Sequence, residues 1–321
     1  MKTDWIGYWY VASKKRGQND LMTFINTDAE TGKNFVTHIP HSITDGKGAF
    51  CNILKSFDVS KIVTGNKSQV TRPPLLHVFR ILLKALKNMQ TNQPDWIVFD
   101  RSNKKNKNSS IQYLHFSEKE TEDIFSSLSE KNISLNTWLL TNFKNEILNM
   151  MISGDKLGKI LIPVDMRQGL QAEMHQKNCS SGVYVELDRN DDYTSVRSKL
   201  KDCLTDQIHW GNWWLANIGR LVGKRGVDYL SKRSAERSHY LGTYSNMGVW
   251  EYETQEKLKK LPTNIWSFSA PGSANYPLFL GVIVVNGELT VSLKFNKYVT
   301  GDQIQSKILV ENFRQQLIGY K

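Results

Sequence analysis

Apolar and polar residues alternate in short runs over much of the chain and change to helical spacing in between. Leu21-Met-Thr-Phe-Ile25 and Phe35-Val-Thr-His-Ile39 flank the turn cluster Asp28-Ala-Glu-Thr-Gly32-Lys33. This pattern predicts a hairpin between Leu21 and Gly46, with His41 just past its second strand. A helix is expected from about Gly48 to Phe57. Another is expected over Pro73 to Met89, where Leu75, Leu76, Val78, Phe79, Leu82, Leu83 and Leu86 recur at helical spacing. The Lys/Asn-rich stretch Ser102 to Ser110 reads as an exposed loop tip. Ile111 to Phe116 alternates as a strand, and Ser117-Glu-Lys-Glu opens a helix with a capping box.

A helix capped at Ser134 or Asn136 carries apolar residues to Met151, and a second lobe is taken to begin there. Residues 1–131 then form an N-terminal lobe and 132–321 a C-terminal lobe. Strands follow over Lys159 to Val164 and Gly182 to Leu187, with a polar turn after Arg167. One helix is expected from about Tyr193 through Trp210, Trp213 and Trp214, then a basic helical stretch from Arg225 to Arg237. Gly242 to Gly248 reads as a loop or sheet edge. The end reads as strand, turn, strand and helix: Phe279 to Val285, Asn286-Gly287, Leu289 to Phe295, and Thr300 to Leu317. Asn-Gly between two alternating runs is a hairpin signal, because a tight hairpin turn needs positive φ at both central residues.

Composition narrows the function classes. With 40% hydrophobic residues the chain can bury a substantial core, yet no stretch approaches the roughly 20 apolar residues of a membrane span. The first ten residues mix charge and glycine into an apolar run and lead into Lys14-Lys15-Arg16, unlike a signal peptide. Cys51, Cys179 and Cys203 are odd in number and lack CxxC spacing, so neither a disulfide framework nor a metal site is indicated. A soluble, cytoplasmic protein is the expectation. The net charge of +11 calls for an anionic partner, but the basic residues are dispersed and no nucleic-acid-binding pattern occurs. Nucleic acid is therefore not expected, and a phosphate-bearing co-substrate would need only a few cations.

His41 stands four residues before Asp45, which Gly46 follows, between a strand and a helix. An imidazole held there could take a proton from a hydroxyl or amine near neutral pH, since its ordinary pKa is about 6.5. On its own, HxxxDG is a weak pattern, and a lone histidine in a loop is more often a surface or capping residue than a catalytic one.

The order of four landmarks resembles the superfamily of chloramphenicol acetyltransferase, non-ribosomal peptide condensation domains, wax-ester synthases and plant BAHD acyltransferases. His41-Ser-Ile-Thr-Asp45-Gly46 is similar to its HHxxxDG or HxxxDG motif, and Ile162-Pro163-Val164-Asp-Met-Arg167 to its Pro-Val-x-x-Arg strand. Tyr244-Ser245-Asn246-Met-Gly248 resembles its Ser-Asn-x-Gly stretch, and Asn286-Gly287-Glu-Leu its closing hairpin. Pro40 replaces the first His of the longer motif, and His38 is secondary.

The resemblance implies an α/β fold of two acetyltransferase-like lobes, with mixed sheets flanked by helices and an active-site tunnel between the lobes. It implies acyl transfer from acyl-CoA as co-substrate, or from a phosphopantetheinyl carrier-protein thioester, to a small-molecule or lipid acceptor, with no permanently bound cofactor. His41 would be the base, Arg167 the partner of Asp45, and Ser245 and Asn246 would orient substrate. Arg220, Lys224, Arg225, Lys232, Arg233 and Arg237 could meet coenzyme A phosphates or form a solvated face. The motif comes earlier than in two-lobed relatives, so the first lobe is expected to lack its front, leaving Phe24 and Phe35 uncovered and the chain prone to self-association. The rival reading is a catalytically silent binding remnant of the same fold.

Overall fold

The computed structural model describes residues 3–16, 18–57, 59–65, 70–97, 111–148, 150–152, 156–174, 178–254, 264–273, 275–295, 299 and 303–318. The expected loop tip from Ser102 to Ser110 lies outside them. In chain order the first half comprises α1 (Trp5–Lys14), β1 (Leu21–Asp28), β2 (Asn34–Pro40), α2 (Gly46–Ser56), β3 (Val59–Thr64), a 3-10 turn (Leu75–His77), α3 (Val78–Met89), β4 (Ile111–Phe116), α4 (Glu118–Glu130) and α5 (Leu135–Leu148). The second half comprises β5 (Lys156–Asp165), α6 (Arg167–Leu170), β6 (Ser180–Asp188), α7 (Tyr193–Thr205), α8 (Ile208–Ala216), α9 (Gly219–Arg237), β7 (Gly242–Thr254), β8 (Asn264–Ser269), β9 (Leu278–Val285), β10 (Glu288–Phe295) and α10 (Gln303–Ile318).

One mixed sheet and one antiparallel sheet result. A seven-stranded sheet runs β4-β10-β9-β7-β5-β6, with β3 added to β7, and a three-stranded sheet runs β2-β1-β8. Strand β7 is parallel to both β5 and β9, and the remaining pairs are antiparallel. Every residue of β9 is buried, as an apolar run covered on both faces requires. The sheets exchange strands across position 131: β3 and β4 join the large sheet, whereas β8 reaches back to pair with β1.

Local signals explain much of this. Asn286 and Gly287 adopt φ of 48° and 85°, the two positive values that a tight hairpin needs between β9 and β10. Ser117 and Glu120 complete the capping box of α4. Met22 and Phe24 alternate inward from β1, and Phe24 stacks on Phe50 of α2 and Phe268 of β8.

Four expectations need correction. Phe24 is covered, because β8 supplies a neighbouring strand from more than 200 residues away; Phe35 is exposed on β2. Gly242 to Gly248 is an interior strand, not a loop or edge. The tryptophan-rich helix is two helices, broken where Gln207 turns left-handed at φ 55°. The polar turn after Arg167 is the single helical turn α6. Among the described residues β2 pairs only with β1, leaving its outer edge open. No helix among them is long and apolar enough to cross a membrane.

The buried His209 of α8 gives the fold an acid-sensitive element. Desolvation lowers its pKa from 6.5 to about 4. Below pH 6.5 the unfolded chain binds a proton that the folded chain refuses, so stability falls as pH drops toward 4. Thermal melts should show about 2 kcal/mol lost through this group between pH 7 and pH 5. His209→Gln should flatten that part of the slope.

Candidate active site

The loop joining β2 to α2 is tied down from several sides. The His41 N–H donates to the Asp20 carbonyl at 2.7 Å, and the Ser42 hydroxyl to the Asp20 carboxylate at 2.9 Å. Asp45 caps α2, accepting from the Gly48 N–H at 2.9 Å. Its second oxygen accepts from the Cys179 N–H at 2.8 Å, and Arg167 Nη2 reaches the first at 2.7 Å. Both partners of this ion pair are buried. Arg167 Nη1 also meets Asp165, which Lys47 pairs in turn, and Nε donates to the Met174 carbonyl. Gly48 is small for a reason: a Cβ there would lie 2.3 Å from Thr44 Oγ1 and 3.2 Å from Arg167 Nη2. Gly46 packs against Met247, since a Cβ there would come 3.1 Å from the sulfur.

A relay absent from the sequence reading fixes the His41 ring. Asn178 Nδ2 donates to Asp4 Oδ2 at 3.2 Å, which turns the amide oxygen toward His41 Nδ1 at 3.1 Å. A carbonyl oxygen can only accept, so Nδ1 carries the ring proton and Nε2 keeps its lone pair. The Tyr10 hydroxyl lies 3.2 Å from that Nε2, and its ring stacks on the imidazole with centroids 4.1 Å apart. Burial, and then the nearby Tyr184 and Asp45, raise the Tyr10 pKa, so the phenol stays a donor. Burial lowers the His41 pKa against the opposing pull of Asp45, Asn178 and Asp20.

Helix α1 delivers Tyr10. Asp4 caps it through the Gly7 N–H, and a Cβ at Gly7 would lie 2.3 Å from the Ser42 carbonyl oxygen. Only glycine lets α1 rest on the loop this closely. An Asp before an apolar run is a visible N-cap signal for Asp4; nothing in the sequence marks Asn178.

The structure thus brings His41, Asp45, Gly46 and Arg167 together. Ser245 sits beside Gly281 on the β7 face that packs toward α2 and β8. Asn246 faces the other way, donating to Asn136 Oδ1 at 2.7 Å and accepting from the Gly248 N–H at 2.7 Å. His38 is exposed and meets Thr23 across the hairpin. Arg220, Lys224, Arg225, Lys232, Arg233 and Arg237 are all exposed along α9. Beside α6 opens a cavity of about 450 Å³, lined by Trp210, Trp213 and Trp214 with Arg72 and Arg220.

No known family profile matches the chain, and no curated protein sequence matches it. Solved structures do. The SgcC5 protein from Streptomyces globisporus matches with a TM-score of 0.54 at 10% identity, over 90% of this chain and 70% of that one. The first condensation domain of the CDA synthetase matches at 0.53 and 10% identity, over 96% and 70%. The trichothecene 15-O-acetyltransferase from Fusarium sporotrichioides matches at 0.52 and 11% identity, over 100% and 75%. The chain has the α/β fold of condensation domains and chloramphenicol acetyltransferase-like acyltransferases, with a large mixed sheet and a small antiparallel one flanked by helices.

Proposed function

We propose that the chain transfers an acyl group from a thioester to a hydroxyl or amine, with His41 Nε2 as the general base. The observation that carries this reading is the Asp4–Asn178–His41 relay, which leaves the lone pair on the one ring nitrogen met by a hydroxyl. Tyr10 stands where an acceptor oxygen would sit, and the acceptor would displace it. The base removes the acceptor proton as the oxygen or nitrogen attacks the thioester carbonyl, and the thiol leaves with that proton. The fold shared with condensation domains and acetyltransferases supports the reaction class.

The donor proposed is acyl-CoA. Exposed cations on α9, and Arg72 with Arg220 at the tryptophan-lined cavity, suit its phosphates and adenine. A carrier-protein thioester is the alternative donor. Ser245, on the α2 side of β7, and Asn246, whose amide meets Asn136 of α5, would orient substrate. Self-association would use the open edge of β2. The stacked Tyr10 also favours a second reading, a silent binding module in which the phenol seals His41.

Thiol release measured over a panel of acyl-CoAs with alcohols and amines tests the proposal; no turnover with any pair would leave the silent module. Asn178→Ala, which frees the ring and both tautomers, should lower kcat by up to about 100-fold, the cost of a small misplacement of a reacting group. Unchanged kcat in that variant would show that the relay does not position the base.

A further inference from the structure

Helix α3 has two apolar sides. Ile81 and Ala85 pack on α8, so closely that a Cβ at Gly211 would fall 2.5 Å from the Ala85 methyl. That inner side is fully committed. The opposite side is not: Phe79, Leu83 and Leu86 are 73%, 52% and 49% exposed, and Leu75 and Leu76 in the preceding turn are 81% and 95% exposed. At 100° per residue Leu86, Phe79 and Leu83 form one outward stripe, with the exposed Lys87 and Arg80 directly alongside. The charge along this segment of the chain has a single sign. From Val59 to Pro94 the sequence contains six lysines and arginines and no aspartate or glutamate.

We propose that this face of α3, with Leu75 and Leu76, docks the protein on an anionic lipid surface. A helix with a continuous apolar stripe beside a basic one lies in the plane of such a surface, its leucines among acyl chains and its cations among headgroup phosphates. A second copy of the chain suits the face less well. In a two-fold contact the patch meets itself, bringing Arg80 and Lys87 against like charges with no acidic residue in the segment to pair across. Among the described residues, Lys84 is the cation of the helix with an acidic partner, Asp206 of the segment between α7 and α8. The docking inference does not depend on acyl transfer.

Flotation of the purified full chain with phosphatidylcholine vesicles, with and without added phosphatidylserine, tests it. Recovery is expected with the anionic vesicles and should fall as salt rises. Arg80→Gln and Lys87→Gln should each weaken binding about fivefold, the usual effect of one cation near a charged leaflet. The double variant Phe79→Glu, Leu83→Glu should abolish it. Leu76→Glu, at a side chain almost wholly in water, should weaken binding with an unchanged thermal melt, which separates docking from folding. Absence of recovery with anionic vesicles, or recovery unaltered in the double variant, would overturn the proposal. So would a dimer in sedimentation that the double variant makes monomeric without any vesicle binding, which would assign the face to a second copy.

Discussion

Replacing His41 with Ala should cut thioester turnover by about two to four orders of magnitude, the usual contribution of a positioned general base. The fold should survive, because the loop is held by the Asp20 carbonyl and by the Asp45 cluster rather than by the imidazole. The pH profile gives a second readout. A base works only when unprotonated, and burial places the His41 pKa below its ordinary 6.5. The acid limb of kcat/KM should therefore have its midpoint below pH 6.5, with activity retained in mildly acidic buffer. A limb centred above 6.5 would mean that another group titrates. Turnover unchanged in His41→Ala would remove the base mechanism, and turnover present but insensitive to pH across that range would do the same.

What the sequence could show of this arrangement follows from distance along the chain. The strands around Asn286-Gly287 and the capped start of α4 were legible because turn and cap chemistry act over a few residues. Helix α1 was not: Trp5 to Val11 is rich in aromatic and β-branched residues, which suit a strand as readily as a helix, and only its packing on α8 and α9 decides the matter. Strands β3 and β8 were missed because their partners lie about 190 and 240 residues away along the chain. The same rule divides the site. The landmark order pointed to His41, Asp45 and Arg167, but Asn178 and Tyr10 earn their place from tertiary approach alone, 137 and 31 residues from His41. The contact of Asn246 with Asn136 of α5 is likewise set by strand pairing and is not marked in the sequence.

The largest stability effect is expected at Arg167. In Arg167→Ala the buried Asp45 carboxylate keeps the Gly48 and Cys179 N–H groups but loses the guanidinium that pairs it. Breaking a buried pair in this way costs about 3–5 kcal/mol. Asp45→Asn acts on the other partner: its oxygen can serve Gly48 or Cys179, but its amide then faces the remaining N–H, donor against donor. A loss of about 3 kcal/mol is expected, as for a charged hydrogen bond replaced by an unsatisfied group. Arg167→Lys should recover only part of the loss, because one ammonium cannot hold Asp45, Asp165 and the Met174 carbonyl at once. Both lesions slacken the loop that aims His41, so turnover should fall with stability in each variant. Urea denaturation of the two single variants and the double variant should give a coupling of about 0.5–3 kcal/mol, since residues in contact are not additive. Additive losses would show that the ion pair does not act as a unit and that the loop is positioned by the backbone donors alone.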